Sequence, residues 1–257
     1  EEALRGLNVA LIETNDFGSA TSATTSKMIH GGLRYLAKGE IHLVRESLRE
    51  RRILMNIAPN LVHPLPFIYA MYKTDKVPPI FIRIGMILYE LLSFDKSFVL
   101  DKSKKMPGYK TLSPQKVKEL VPCAQTECLK GAHLYYDAQN HSPERLTLAF
   151  IKSAYNHGAD IANHAEVTDF ISEIKDNKTF VKGVKIYDKL NNKSLEINSK
   201  VVINCAGPWA DLLLKKILNK KNCEKLVRSE GIHIVVDREY HKRSEERRVG
   251  KECRSRW

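Results

Sequence analysis

The 257-residue sequence has no long hydrophobic run, no low-complexity tract and no internal repeat. Residues 77–92 come nearest to a membrane span, but they carry Arg83, Glu90 and two prolines at their start. No run reaches the roughly 18–20 apolar residues that a spanning helix requires, so the chain is not expected to cross a membrane. The first residue is not Met, and no charged segment leads into an apolar one, so no signal peptide is read. The five cysteines, Cys123, Cys128, Cys205, Cys223 and Cys253, are too few and too scattered for a disulfide framework. Cys123 and Cys128 lack the second close pair that a structural zinc site needs. The histidines show no metal-ligand spacing either, and no metal is predicted. A reducing, cytoplasm-facing compartment is the expectation. With only 13 Gly and 10 Pro, the chain is neither collagen-like nor a disordered linker, and 43% hydrophobic residues are enough to bury a core. The length corresponds to one large domain or two small ones.

Basic residues exceed acidic ones by 12. From Arg243 the chain reads RSEERRVGKECRSRW, without helical or strand period, and resembles a foreign tail. Without residues 243–257 there remain 36 basic and 27 acidic residues, still suited to phosphates, nucleic acid or acidic lipid. Nucleic acid is disfavoured, because the basic residues are spread along helices and no stacking array is visible.

The opening segment reads as a helix end capped by Gly6 and then a buried strand, Asn8 to Ile12, with Glu13 at its carboxyl end. In a dinucleotide-binding unit an acidic residue there accepts hydrogen bonds from the adenosine ribose. The plainer alternative is a strand ending in a surface glutamate. The matching first strand and its G-x-G-x-x-G turn are missing, and are expected to precede residue 1. Residues 41–57 have the 3.6-residue period of an amphipathic helix, ended by Pro59. Residues 64–100 mix prolines with apolar and aromatic side chains, and 102–122 read as a polar connector with a short helix before Pro122. Ser142-Pro143-Glu144 opens a second helix that Gly158 closes. Residues 160–167 read as a strand, 170–174, 181–187 and 194–197 as an antiparallel meander, and 201–204 as a further apolar strand.

The strongest candidate site is His30-Gly31-Gly32-Leu33-Arg34-Tyr35. Paired glycines let the backbone approach a flat ligand, Arg34 offers a planar fork for a phosphate or carboxylate, and Tyr35 adds a hydroxyl. A plain turn with a surface arginine is the alternative. Ser22, Thr24, Thr25, Ser26 and Lys27 supply donors suited to a pyrophosphate, or form a solvated loop. Asn204-Cys205-Ala206-Gly207-Pro208-Trp209 follows an apolar strand, where open α/β sheets bind ligands; otherwise it is an ordinary strand-to-helix turn. Cys205 is read as a small buried hydrophobe. His233 alternates with apolar residues in GIHIVVD; it is a structural strand residue or, beside an anion site, a general base.

Together these stretches resemble the FAD-dependent glycerol-3-phosphate dehydrogenases of the aerobic, quinone-linked type. The resemblance rests on SKMIHGGLRYL and continues through RESLRERRILMNIAPNLVHPLPF, IRIGMILYELL, YYDAQ, NCAGPWAD and GIHIVVDRE, covering residues 1–240. It implies an α/β fold: an FAD-binding, Rossmann-like domain of the glutathione-reductase and D-amino-acid-oxidase type, interleaved with an α+β substrate domain and incomplete here. The expected division is 1–66 and 142–210 for FAD binding, 67–141 as a substrate- or membrane-facing insertion, 211–242 as the start of a substrate segment, and 243–257 as a non-native tail. It implies further that Glu13 holds the adenosine ribose and that Ser22, Ser26, Lys27, Ile29, His30 and Gly31 line the flavin and pyrophosphate. Val167 would lie near the adenine, and Ala206 and Gly207 along the cofactor. Arg34 and Tyr35 would bind the substrate phosphate, with His233 beside the flavin.

The implied reaction is hydride transfer from C2 of sn-glycerol 3-phosphate to flavin N5, giving dihydroxyacetone phosphate, with electrons passing to a quinone. Residues 77–92 would attach to an anionic membrane surface without crossing it, or pack as an internal helix. The expected location is the cytoplasmic face of a membrane, or the mitochondrial inner membrane in a eukaryote; a homodimer is compatible with it. Glu230 stands where the family more often has lysine, and 140–143 replaces a more acidic stretch. The expectation is that the encoded protein is the enzyme and that this chain by itself does not turn over. The alternatives are an oxygen-using glycerophosphate oxidase and a non-catalytic phosphometabolite-binding remnant.

Overall fold

A computed structural model of the chain describes residues 1–122, 124–176, 178–218 and 226–227. His233, most of segment 211–242 and the tail 243–257 lie outside the described residues. In chain order the elements are β1 (Ala10–Ile12), β2 (Met28–Ile29), α1 (Leu33–Leu36), α2 (Ile41–Ile57), β3 (Val62–Tyr72), α3 (Pro79–Leu92), β4 (Lys110–Leu112), α4 (Pro114–Leu120), β5 (Leu129–Asn140), α5 (Pro143–Asn156), β6 (Asp160–Ala162), β7 (Ala165–Lys175), β8 (Lys178–Asp188), β9 (Lys193–Asn198) and α6 (Ala210–Leu218). The described residues form two compact units, one of residues 1–21 with those from 147 to 227, the other of residues 22–146.

In the first unit, β1 runs parallel to β6, with Ala10, Leu11 and Ile12 opposite Asp160, Ile161 and Ala162. The strand expected over 160–167 is interrupted at Asn163–His164, where His164 adopts φ 52° and donates its N–H to the Asn15 carbonyl. The antiparallel meander is β7–β8–β9, longer than expected at each strand. Beneath it Ala165, Val184 and Ile186 form a core against which Ile12, Val167, Phe170 and Val202 pack.

The segment 201–204 is not a strand: it has no ladder partner among the described residues, and Val201 and Ile203 stand largely exposed. Apolar character alone does not make a strand, because the hydrogen bonds that define one come from a neighbour. Cys205 is exposed for the same reason, contrary to its reading as a buried hydrophobe.

In the second unit, β5 is the central strand. It pairs antiparallel with β3 along one edge and with β2 and β4 along the other. β3 carries Pro64 and Pro66. Proline has no N–H to give a ladder, and β3, at the edge of this sheet, needs none on its outer side. The domain boundary expected at 66/67 falls inside β3, whose pairing to β5 continues across it.

α2 buries Val44, Leu48, Arg51 and Met55, spaced four, three and four residues apart along one face. Met55 packs with Ala58, Val62, Met106, Ala138 and Leu146, while Val44 and Leu48 pack on Tyr89 of α3. α3 buries only Met86 and Tyr89. Its Ile80, Ile84, Ile87 and Leu91 are 41–64% exposed, so it is neither a packed internal helix nor a wholly solvated one. The short helix expected before Pro122 is α4, and the one expected between Ser142 and Gly158 is α5, with Ser113 accepting from the Lys116 N–H and Ser142 from the Arg145 N–H. No helix among the described residues is long and apolar enough to cross a membrane.

Candidate functional site

Within the second unit, the residues 22–35 singled out in the sequence form one continuous path. Ser22 ends a short 3-10 turn, and Ser26 is half-buried. Lys27 takes a positive φ of 58°; its N–H donates to the Thr25 hydroxyl (3.3 Å) and its carbonyl accepts from the Asn140 N–H (2.8 Å). β2 then pairs Met28 with Gln139 and Ile29 with Ala138. The Ile29 side chain packs against the core containing Met55 and Ala138.

After β2 the chain turns through His30, Gly31 and Gly32 into α1. The Gly31 N–H donates to Asp137 Oδ1 on β5 at 3.0 Å. The Gly32 N–H donates to His30 Nδ1 at 3.1 Å, which leaves the hydrogen of a neutral ring on Nε2. Both glycines are required, for different reasons. A Cβ on Gly31 would lie 2.2 Å from Leu48 Cδ2 and 2.3 Å from Tyr89 Oη, whereas Gly32 sits at φ 74°, where a Cβ is strained. Arg34 is exposed on α1, and Tyr35 is half-buried against the Val44–Leu48–Tyr89 cluster.

Behind the turn lies a buried polar group. Asp137, 2% exposed, also accepts from Tyr89 Oη (2.8 Å) and from Arg51 Nη1, and that same Nη1 reaches the Tyr136 carbonyl at 3.2 Å. Arg51 is itself 2% exposed. Burial and the adjacent carboxylate push the Tyr89 phenol far up, so it remains an O–H donor at every working pH. A second ion cluster lies on another part of α2. Arg45 clasps Asp95 through both carboxylate oxygens (2.9 and 2.7 Å), and Arg52 Nε stands 2.9 Å from Asp95 Oδ2. Burial alone would raise the Asp95 carboxyl; the Arg45 hydrogen bonds and the two guanidinium charges hold it below its ordinary value.

Within the first unit, Glu13 ends β1. Its N–H donates to the Ala162 carbonyl, its carbonyl accepts from Ala165, and one carboxylate oxygen accepts the Asn15 N–H at 2.8 Å. Ile12, Val167 and Val202 pack on one cluster, so the carboxyl end of β1, the start of β7 and the 201–204 segment come together. Lys189 bridges the same region, donating to the Thr14 carbonyl and hydroxyl at 3.0 Å and pairing with Glu166. At the turn before α6, Asn204 Oδ1 accepts the Ala206 N–H and its Nδ2 donates to the Ala210 carbonyl. Gly207, at φ 52°, has open space where a Cβ would sit.

His233 lies outside the described residues, so no contact is assigned to it. Sequence reasoning gave Asp137, Arg51 and Tyr89 no role. The signal was there in one form: Asp137 interrupts the apolar stretch LYYDA of a long strand, and Arg51 falls on the apolar face of α2.

Residues 2–255 match the family of FAD-dependent oxidoreductases. The chain is 38% identical over 246 residues to a glycerol-3-phosphate dehydrogenase of Synechocystis sp., covering 91% of this chain and 42% of that protein. It is 36% identical over 233 residues to an aerobic glycerol-3-phosphate dehydrogenase of Staphylococcus haemolyticus, covering 91% and 40%. Among solved structures, the glycerol-3-phosphate dehydrogenase of Bacillus halodurans complexed with FAD superposes with a TM-score of 0.57 at 26% identity, over 84% of this chain and 32% of that one. The chain thus spans about two fifths of the length of the two curated relatives.

Proposed function

The chain belongs to the family of FAD-dependent oxidoreductases, and from that premise we propose that the whole protein oxidises C2 of sn-glycerol 3-phosphate to give dihydroxyacetone phosphate. The observation that carries this reading is the turn 30–35. An exposed guanidinium, Arg34, and a phenol, Tyr35, follow a glycine pair whose backbone is fixed from behind. A guanidinium fork matches two phosphate oxygens, and anchoring the anionic end of a three-carbon substrate limits where its C2 can lie.

Protein side chains offer no acceptor for a hydride from a secondary alcohol, and bound FAD supplies that acceptor. The residues present fit such a group. The half-exposed Glu13 carboxylate, steadied by the Asn15 N–H, is an acceptor for ribose hydroxyls. The open space beside Gly207 admits a ligand against its backbone, with Ala206 beside it, and Val167 offers an apolar surface for an adenine. Ser22, Ser26 and Lys27 carry donors of the kind a pyrophosphate takes, and Ile29, His30 and Gly31 offer backbone of the kind a flavin ring packs against. His233 is assigned the hydroxyl proton of the substrate.

We further propose a quinone as electron acceptor, at a lipid surface on which the protein lies peripherally. The exposed stripe of Ile80, Ile84, Ile87 and Leu91, with Arg83 exposed on the same helix, supports that reading. The location would be the cytoplasmic face of a membrane, or the mitochondrial inner membrane in a eukaryote.

The test is the visible absorbance of the flavin-loaded protein, recorded anaerobically before and after addition of glycerol 3-phosphate or glycerol. Bleaching by the phosphorylated alcohol alone is the expected result. A protein that takes up no flavin, or one bleached equally by glycerol, would overturn the reading. Reoxidation by a soluble quinone but slowly by dioxygen is expected, and the reverse would make the protein an oxidase.

A further inference from the structure

We propose that Asp137 is a positioning residue for the glycine turn, acting through the backbone of Gly31 on the placement of His30 and Arg34. The inference rests on the functional reading of residues 30–35 above. A single carboxylate oxygen, Asp137 Oδ1, collects three donors from three different elements: the Gly31 N–H of the turn, Tyr89 Oη of α3 and Arg51 Nη1 of α2.

The arrangement is costly to build. Each buried ion loses hydration worth several kcal/mol, and well-packed apolar residues of like volume commonly serve stability as well or better. What apolar residues cannot do is accept a backbone N–H in a fixed direction. The Gly31 N–H points into the interior, toward Asp137, and the Gly32 N–H is taken by His30 Nδ1, so the amide directions of the turn are fixed by the protein itself. A Cβ at Gly31 would run into Leu48 and Tyr89, so a side chain there would force these neighbours or the turn to shift. The hydrogen bonds from Arg51 Nη1 and the O–H of Tyr89 fix the orientation of the carboxylate. The turn is therefore preorganised before any ligand arrives, which lowers the cost of binding.

The experiment compares D137N and Y89F with D95N. D95N breaks the Arg45 and Arg52 pairs without touching the turn. Two quantities are read in the full chain, well below each variant's melting temperature: the affinity for FAD, from quenching of flavin fluorescence, and hydrogen exchange at the Gly31 amide. D137N is expected to weaken FAD binding about tenfold or more and to speed Gly31 exchange by a similar factor, the scale of losing one charge-assisted hydrogen bond. Y89F should show a smaller change in the same direction, about threefold, because Asp137 keeps its other two donors. D95N should leave both quantities within about twofold even where it lowers the melting temperature as much as D137N does. Equal losses in D137N and D95N would overturn the positioning role, as would D137N with unchanged FAD affinity. If the unmodified whole protein binds no FAD, the functional reading fails. The Gly31 exchange rates then still decide whether Asp137 holds the turn.

Discussion

Replacing Gly31 by alanine adds one methyl group where the structure leaves no volume. The new Cβ would stand 2.2 Å from Leu48 Cδ2, 2.8 Å from Leu48 Cγ and 2.3 Å from Tyr89 Oη, all far inside contact distance. Leu48 is 1% exposed and cannot swing into solvent, so the strain must spread through α2 or push Tyr89 away. Overpacking of a close-packed site costs about 1–3 kcal/mol. Displacing Tyr89 Oη also removes its hydrogen bond to the buried Asp137 carboxylate, a further loss of about 1.5–3 kcal/mol. Gly31→Ala is therefore expected to destabilise the protein by about 3–5 kcal/mol, a large share of the 5–15 kcal/mol typical of a folded domain. Urea unfolding followed by far-ultraviolet circular dichroism measures this as a lowered midpoint at constant slope. Gly207→Ala is the matched control: nothing lies within 4 Å of its Cβ, and the only penalty is the left-handed backbone at φ 52°, about 1–2 kcal/mol. If Gly31→Ala lay within 1 kcal/mol of the unmodified protein, or cost no more than Gly207→Ala, the steric argument for the turn would be refuted.

Three further outcomes follow from the same geometry. Asp95 has its folded pKa below its unfolded value of 3.8, so its contribution to stability is complete above that value and is lost as pH falls through the lower folded value. Urea midpoints measured between pH 2.5 and 6 should fall less steeply at the acid end in D95N, and parallel curves would contradict the Arg45–Asp95–Arg52 assignment. His133 on β5 is lowered from 6.5 by burial and then by the charge of Arg83, so protonation favours the unfolded chain: stability should decline as pH drops below 6.5 and level off under the folded pKa. His133→Gln should flatten that part of the profile, and a wild-type profile flat between pH 7 and 5 would show that His133 protonates freely. Under the proposed function, Arg34→Ala should raise the KM for glycerol 3-phosphate about tenfold to a hundredfold, with a smaller effect on kcat; Ile84→Asp with Ile87→Asp should abolish co-sedimentation with anionic vesicles. An unchanged KM or undiminished vesicle binding would remove each assignment.

Local hydrogen bonding determined how much of this could be read from the amino acids. α2, α4 and α5 were legible because a helix closes its bonds within its own turns: the apolar spacing of Val44 and Leu48, the stop at Pro122 and the capping hydroxyl of Ser142 are local signals. The β7–β8–β9 meander was legible because its partners are neighbours in sequence joined by short polar turns. The glycine pair at 31–32 could be identified, though not the neighbours that demand it.

Whatever rests on partners distant in the chain was decided by the tertiary structure alone. Pro64 and Pro66 argue against a strand until β5, some seventy residues later, offers a partner on one side only. Val201 to Asn204 argue for a strand and are none, because no described neighbour pairs with them. Asp137 has no role legible in the sequence until folding brings Gly31, Arg51 and Tyr89 onto one of its oxygens. A buried carboxylate is stable only where all its donors converge, and that convergence is a property of the packed chain.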